Sequence, residues 1–198
     1  MLVEPLYKLD STTAVQHALC RPALDVLMEG LSITGEGWVL VILAVAFAFK
    51  AHRDRRDAVR SAIRGLVILA VTGALVIVIK RIVHAPRPLE LLGPGRVRVL
   101  LEPLRRMSFP SGHSAATAAL ATWAWRELPG SFWRWLWIFP FMCGVSRVYV
   151  GAHWVTDVIA GWSLGVATAV VIGRAWSRRR GACAVALAAP ARADAGEG

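Results

Sequence analysis

The sequence predicts an all-α fold, a polytopic membrane bundle of five to six transmembrane helices. Three observations predict it. Of 198 residues, 56% are hydrophobic and 18% charged, where a soluble domain carries about a quarter charged. The apolar residues fall in runs that approach the length needed to cross a bilayer. The surplus charge, +10 at neutral pH, gathers largely in the breaks between those runs. So high an apolar fraction excludes a disordered chain. A soluble nucleic-acid binder would share the positive balance but not the apolar runs, so no nucleic-acid partner is expected. At this length one domain is the expectation. Cys20, Cys143 and Cys183 form no CxxC pair and no zinc spacing, and they read as small buried hydrophobes.

The elements follow in chain order. MLVEPLYKLD lacks the basic start of a cleaved signal peptide. From Thr12 to about Leu31, apolar Leu19, Leu24, Leu27, Met28 and Leu31 alternate with Arg21, Asp25 and Glu29. That pattern fits an amphipathic helix in the interface, or a short membrane span, and defines an N-terminal unit over residues 1–36. Ile33–Gly37 carries two glycines and is a break. The run Trp38–Phe49 opens the main domain, residues 37–176, and Gly37–His52 can cross a thinned bilayer. Lys50–Arg60 is a charged loop. Ala58–Ile79 is a second span, with Arg60 and Arg64 placed to snorkel. Lys80–Gly112 is polar and proline-rich. His113–Trp125, Ser131–Val150 and Trp154–Trp176 are the third, fourth and fifth segments. Small residues in the third and fifth, from Ala115 to Gly173, suit close helix packing. Trp133, Trp135 and Trp137 suit an interfacial aromatic belt. The tail, 177–198, is expected to be disordered and cytoplasmic.

Orientation comes from the short loops. Lys50–Arg60 holds five Lys/Arg residues and Arg174–Arg180 four, so both belong on the cytoplasmic side. Alternation then puts 83–112 and 146–157 on the outer face. The 83–112 loop is itself basic, with Arg87, Arg96, Arg98, Arg105 and Arg106, which breaks the rule and asks for a functional reason.

The acidic residues narrow the search. Between Glu127 and Asp194 the only carboxylate is Asp157, at the start of the last span. An ionisable residue there is a functional candidate. His153 lies four residues earlier, on the same helical face if the helix extends that far. A carboxylate on one imidazole nitrogen fixes the tautomer and leaves the other nitrogen for chemistry. The same pairing also serves to tie a helix end. The stretch Phe109–Ser114 reads FPSGHS: Ser111 is a natural N-cap, and the N–H groups from about Gly112 would face an anion beside His113. Lys80 ends the second span, and Arg87 is stiffened between Pro86 and Pro88. Arg147 follows Ser146 at the end of the fourth segment. Each feature alone has a plain structural reading, as a cap, a snorkelling lysine or an interfacial anchor. The orientation argument gathers Lys80, Arg87, Ser111, His113, Arg147, His153 and Asp157 at one face, and a tetrahedral oxyanion is the ligand that uses them all.

The pattern resembles the type 2 phosphatidic acid phosphatase (PAP2) superfamily, which also contains vanadium haloperoxidases. Lys80 with Arg87-Pro88, Pro110-Ser111-Gly112-His113, and Ser146-Arg147 with His153 and Asp157 match its three motifs in order, and the likeness covers roughly residues 30–175. The resemblance implies a membrane lipid phosphatase. His153 would form a phosphohistidine, Asp157 would orient it, and His113 would serve as acid and then base. Lys80, Arg87, Arg147, Ser146 and the Ser111–Gly112 region would hold the phosphate. It implies no cofactor and no metal, in keeping with the scarcity of carboxylates. The substrate would be a lipid phosphate such as undecaprenyl pyrophosphate, phosphatidylglycerol phosphate, phosphatidic acid or lipid A phosphate. The protein would be multi-pass in the inner membrane, with its active site on the periplasmic face. Arg96, Arg98, Arg105 and Arg106 would attract the headgroup or bind bulk anionic lipid. A lipid phosphotransferase using the same phosphohistidine is the alternative, and a haloperoxidase or a non-catalytic lipid binder or transporter stands further off. The sequence sets no oligomeric state.

Overall fold

The computed structural model describes residues 12–19, 21–93, 96–100, 107–127 and 131–188, and every regular element among them is helical. Two short helices, α1 (Thr12–Leu19) and α2 (Pro22–Ile33), take the place of the single amphipathic segment expected there. Pro22 opens α2 at a position where its missing N–H costs nothing. Thr34–Glu36 then break the chain, and α3 (Gly37–Ala51) leaves at a bend of 66°. Asp54 caps α4 (Arg55–Val83), its carboxylate accepting from the Arg56 N–H at 2.6 Å. The helix stops at His84, in left-handed conformation with φ 47°. The short α5 (Pro88–Leu92), α6 (Gly112–Glu127), a 3-10 turn (Ser131–Trp137) and α7 (Ile138–Tyr149) follow. The last helix, α8 (Val155–Ala188), has 34 residues.

Two stretches, Arg55–Leu92 and Val155–Arg178, are long and apolar enough to cross a membrane, and the bent pair α2–α3 is a third if counted as one span. These include the expected second and fifth segments. The 16 residues of α6 extend about 24 Å, and the fourth segment is divided between the 3-10 turn and α7. The helix α8 also continues past residue 176, where a disordered tail was expected, as far as Ala188. Its alanine-rich end, lacking proline, has the propensity to do so. Residues 189–198 lie outside the described residues.

Helix α6 is the axis of the bundle. Ser114, Ala115 and every residue from Thr117 to Ala124 are buried, against α3, α4, α7 and α8. Such enclosure needs short side chains, and glycines on the neighbours bring backbones closer still. A Cβ at Gly161 would stand 2.6 Å from the Ser111 carbonyl, and one at Gly165 2.9 Å from the Ala119 nitrogen. A Cβ at Gly65 would meet the Trp123 indole at 3.0 Å. Outside, α4 shows the reverse of a soluble helix: Ile63, Val67, Val71, Leu75 and Val78 form an exposed stripe at helical spacing. Lipid, not water, suits that face.

Gly165→Val should lower thermal stability in detergent by about 1–3 kcal/mol, through overpacking against α6. Gly73→Ala, where nothing lies within 4 Å of the new Cβ, should leave stability unchanged or raise it.

Candidate active site

Asp157, in the first turn of α8, is fully buried. Its Oδ2 accepts from the Ser108 hydroxyl, from the Trp154 N–H at 3.0 Å, and from His153 Nδ1 at 3.3 Å. A carboxylate only accepts, so His153 carries its proton on Nδ1 and keeps the lone pair on Nε2. The Asp157 carbonyl in turn accepts from the Ser111 N–H at 3.0 Å. One residue thus joins the 107–111 loop to the start of α8.

The cations arrive from other segments. Arg87 is buried and donates from Nη1 to the Ala152 carbonyl at 2.7 Å. Trp154 donates from its indole to the Pro86 carbonyl at 2.9 Å, which fastens the proline-flanked arginine to the root of α8. Lys80, in the last turn of α4, donates from Nζ to the Met107 carbonyl at 2.5 Å and to the Ser108 carbonyl at 3.3 Å. Arg147, in the last turn of α7, is buried and donates from Nη1 to the Ser32 hydroxyl. Its Nε has no acceptor among the described residues. His153 stands in the loop between α7 and α8. Burial first, and then the charges of Arg87, Arg147 and Lys80, hold its imidazole well below the usual histidine range. It is therefore neutral near neutral pH.

Ser111 caps α6 as expected, its hydroxyl accepting from the Ser114 N–H at 3.4 Å and from the Ser114 hydroxyl at 3.0 Å. Its own N–H is engaged by Asp157, so the helix amides facing an anion begin at Gly112 rather than Ser111. His113 lies in the first turn of α6, with Nε2 3.3 Å from the Glu36 carboxylate. Gly35 permits this contact, since a Cβ there would fall 2.7 Å from the His113 ring. Ser146 departs from expectation: its hydroxyl donates to the Cys143 carbonyl at 2.7 Å, the local bond a helical serine often makes. Arg98 departs as well. It pairs with both Asp25 oxygens, at 2.8 and 2.5 Å. Arg96 is exposed, and Arg105 and Arg106 lie outside the described residues.

The structure therefore brings together Lys80, Arg87, Ser111, Gly112, His113, Arg147, His153 and Asp157, and adds Ser32, Glu36 and Ser108. Glu36 had one signal, as an acid between two glycines ahead of an apolar run. Ser32 and Ser108 had none.

A membrane helix bundle that gathers cations, a helix N-terminus and a carboxylate-held histidine at one end has the make-up of an integral-membrane phosphatase. Residues 61–180 match the PAP2 superfamily, and the chain belongs to it. It is 36% identical over 148 residues to the undecaprenyl-diphosphatase of Sulfolobus acidocaldarius, covering 72% of this chain and 66% of that protein, just under two thirds of its length. It is 31% identical over 180 residues to the decaprenylphosphoryl-5-phosphoribose phosphatase of Mycobacterium tuberculosis, covering 84% of this chain and 92% of that one. Among solved structures it is similar to LpxE of Aquifex aeolicus, with a TM-score of 0.70 and 28% identity, over 82% of this chain and 92% of that chain.

The neutral His153 has a linkage consequence. The unfolded histidine takes up a proton near pH 6.5, but the folded one does so only at lower pH. Stability contributed by this residue is therefore present above that range and is lost as pH falls through it. Thermal unfolding in detergent between pH 7.5 and 5 should show a shallower acid loss in His153→Gln than in the wild type. Equal slopes would contradict the assignment.

Proposed function

We propose that this chain hydrolyses a phosphate monoester or diphosphate of a membrane lipid through a phosphohistidine on His153. The observation that carries the reading is the His153–Asp157 pair, with Nδ1 tied to the carboxylate and the Nε2 lone pair left unprotonated among Lys80, Arg87 and Arg147. In the first step Nε2 attacks phosphorus and the bond to the leaving oxygen breaks. His113, whose Nε2 lies 3.3 Å from the Glu36 carboxylate, gives that oxygen a proton. The imidazolium on His153 is stabilised by Asp157, and the three cations with the α6 amides take up the phosphoryl charge. In the second step His113 removes a proton from water, the hydroxide attacks phosphorus, and the N–P bond breaks to release phosphate and neutral His153. The cations do the work that a divalent ion does elsewhere, so no metal step is invoked.

Polyprenyl phosphates or diphosphates are the favoured substrates. The undecaprenyl and decaprenyl relatives support this, as do the exposed apolar stripe on α4 and a site at the end of the bundle. The lysine and arginine pattern supports the inner membrane, with the site on the outer face. Release of free phosphate without an added acceptor lipid distinguishes hydrolysis from transfer.

His153→Ala should reduce phosphate release from a polyprenyl diphosphate by about a thousandfold or more. Full activity in that variant would dismiss the nucleophile assignment. Turnover should persist in EDTA and be inhibited by vanadate; loss in EDTA with recovery on adding Mg²⁺ would count against the scheme. Ser108→Ala frees the carboxylate that orients His153. It should lower kcat about 10-fold or more while KM stays nearly constant, and a change confined to KM would assign Ser108 to substrate binding instead.

A further inference from the structure

Glu36 sits in the bend between α2 and α3, and hydrogen bonds on both sides fix its place. The Thr34 N–H reaches the Gly30 carbonyl at 3.3 Å, the Gly35 N–H that of Ser32 at 3.2 Å, and the Glu36 N–H that of Ile33 at 2.9 Å. The Thr34 hydroxyl donates to the Leu31 carbonyl at 2.6 Å. The Glu36 carbonyl then accepts from the Leu40 N–H at 3.1 Å, which starts α3. A backbone held in this way can present side chains without being shaped by them. Two of them reach the site. Ser32, buried, accepts from Arg147, and Glu36 lies 3.3 Å from His113 Nε2.

This contact tells the two nitrogens of His113 apart. A carboxylate only accepts, so the hydrogen bond requires the proton on Nε2. A Cβ at Gly35 would stand 2.7 Å from Cδ2, the ring carbon bonded to Nε2. The bend therefore covers that edge of the imidazole, and Nδ1 lies on the other edge. Nδ1 makes no hydrogen bond to a described residue, and it is not among the sealed polar atoms. His153 has the opposite polarity, with Nδ1 tied and Nε2 left over. The charges acting on the His113 ring are positive from Arg147 and Lys80 and negative from Glu36. An imidazolium is repelled by the two cations, and Glu36 supplies the opposing charge. The Glu36 side chain is 50% exposed, so the pair adds little to stability. Its consequence is the orientation of the ring.

We propose, resting on the acid–base role given to His113 above, that Glu36 is its positioning residue, holding Nε2 so that Nδ1 is the nitrogen that exchanges protons with the substrate. In the first step the Nδ1 proton passes to the leaving oxygen as the P–O bond breaks, and Nε2 keeps its proton toward Glu36. In the second step Nδ1 takes a proton from the attacking water as the N–P bond on His153 breaks.

Two substitutions of similar size test this in the full chain in detergent, with phosphate release from a polyprenyl diphosphate as the assay. Glu36→Leu removes the acceptor and should lower kcat about tenfold with KM within about twofold of the wild type. Glu36→Gln keeps an oxygen for the Nε2–H and should stay within about threefold of the wild-type kcat. Wild-type kcat in Glu36→Leu, equal losses in the two variants, or a change confined to KM would overturn the proposal. A second measurement does not depend on turnover. With ring-15N-labelled histidine, the His113 signals are identified by their loss in His113→Gln. They should report the Nε2-protonated tautomer, and an Nδ1-protonated ring would overturn the assignment. Full activity in His113→Gln would remove the acid–base reading and this proposal with it. An impaired His113→Gln beside an unimpaired Glu36→Leu would dismiss the role of Glu36 alone.

Discussion

The buried carboxylate of Asp157 is the constraint on which the site depends. A carboxylate out of water needs several donors to remain charged. The chain supplies them from the Ser108 hydroxyl, the Trp154 N–H and the His153 ring. Satisfying Asp157 therefore means bringing the 107–111 loop against the root of α8, which also sets where Ser111 begins α6. Lys80 holds the same loop from the other side, through the Met107 and Ser108 carbonyls. The polar groups that hold His153 and those that join the helices at this end are the same groups.

Close packing around α6 makes that arrangement stiff. Gly161 lies one helical turn beyond Asp157 and admits the Ser111 carbonyl, and Gly165 continues the contact a turn later. The two helices that carry Asp157 and His113 thus meet backbone to backbone. Little side-chain rearrangement is available between the carboxylate that holds one histidine and the helix start that holds the other.

What the sequence could disclose follows from the range of each interaction. The pair His153–Asp157 lies within one turn, the Ser111 cap within its own motif, and Arg87 between its two prolines, so local spacing was enough for all three. The partners Glu36 and Ser32 come from a bend whose direction is set by tertiary packing, far from His113 and Arg147 in sequence. Ser146 matched a motif, yet its hydroxyl turns to its own helix, a choice that spacing does not encode. Arg98 looked like one of a set of loop cations until the fold brought Asp25 beside it. The apolar segments were legible as segments, but the split between α1 and α2, the 66° bend before α3 and the continuation of α8 to Ala188 depend on packing and on weak propensities.

The exposed stripe on α4 changes the dimensionality of encounter. Ile63, Val67, Val71, Leu75 and Val78 run along the helix towards the turn that carries Lys80. A lipid tail lying against that stripe would keep its long axis parallel to the helix, with its polar end toward the turn that carries Lys80. For the lipid substrate proposed above, arrival at Lys80 would then be a lateral search in a plane, with one rotation already fixed, rather than capture from three-dimensional solution. Part of the orientational entropy of association has been surrendered to the bilayer before the first polar contact forms.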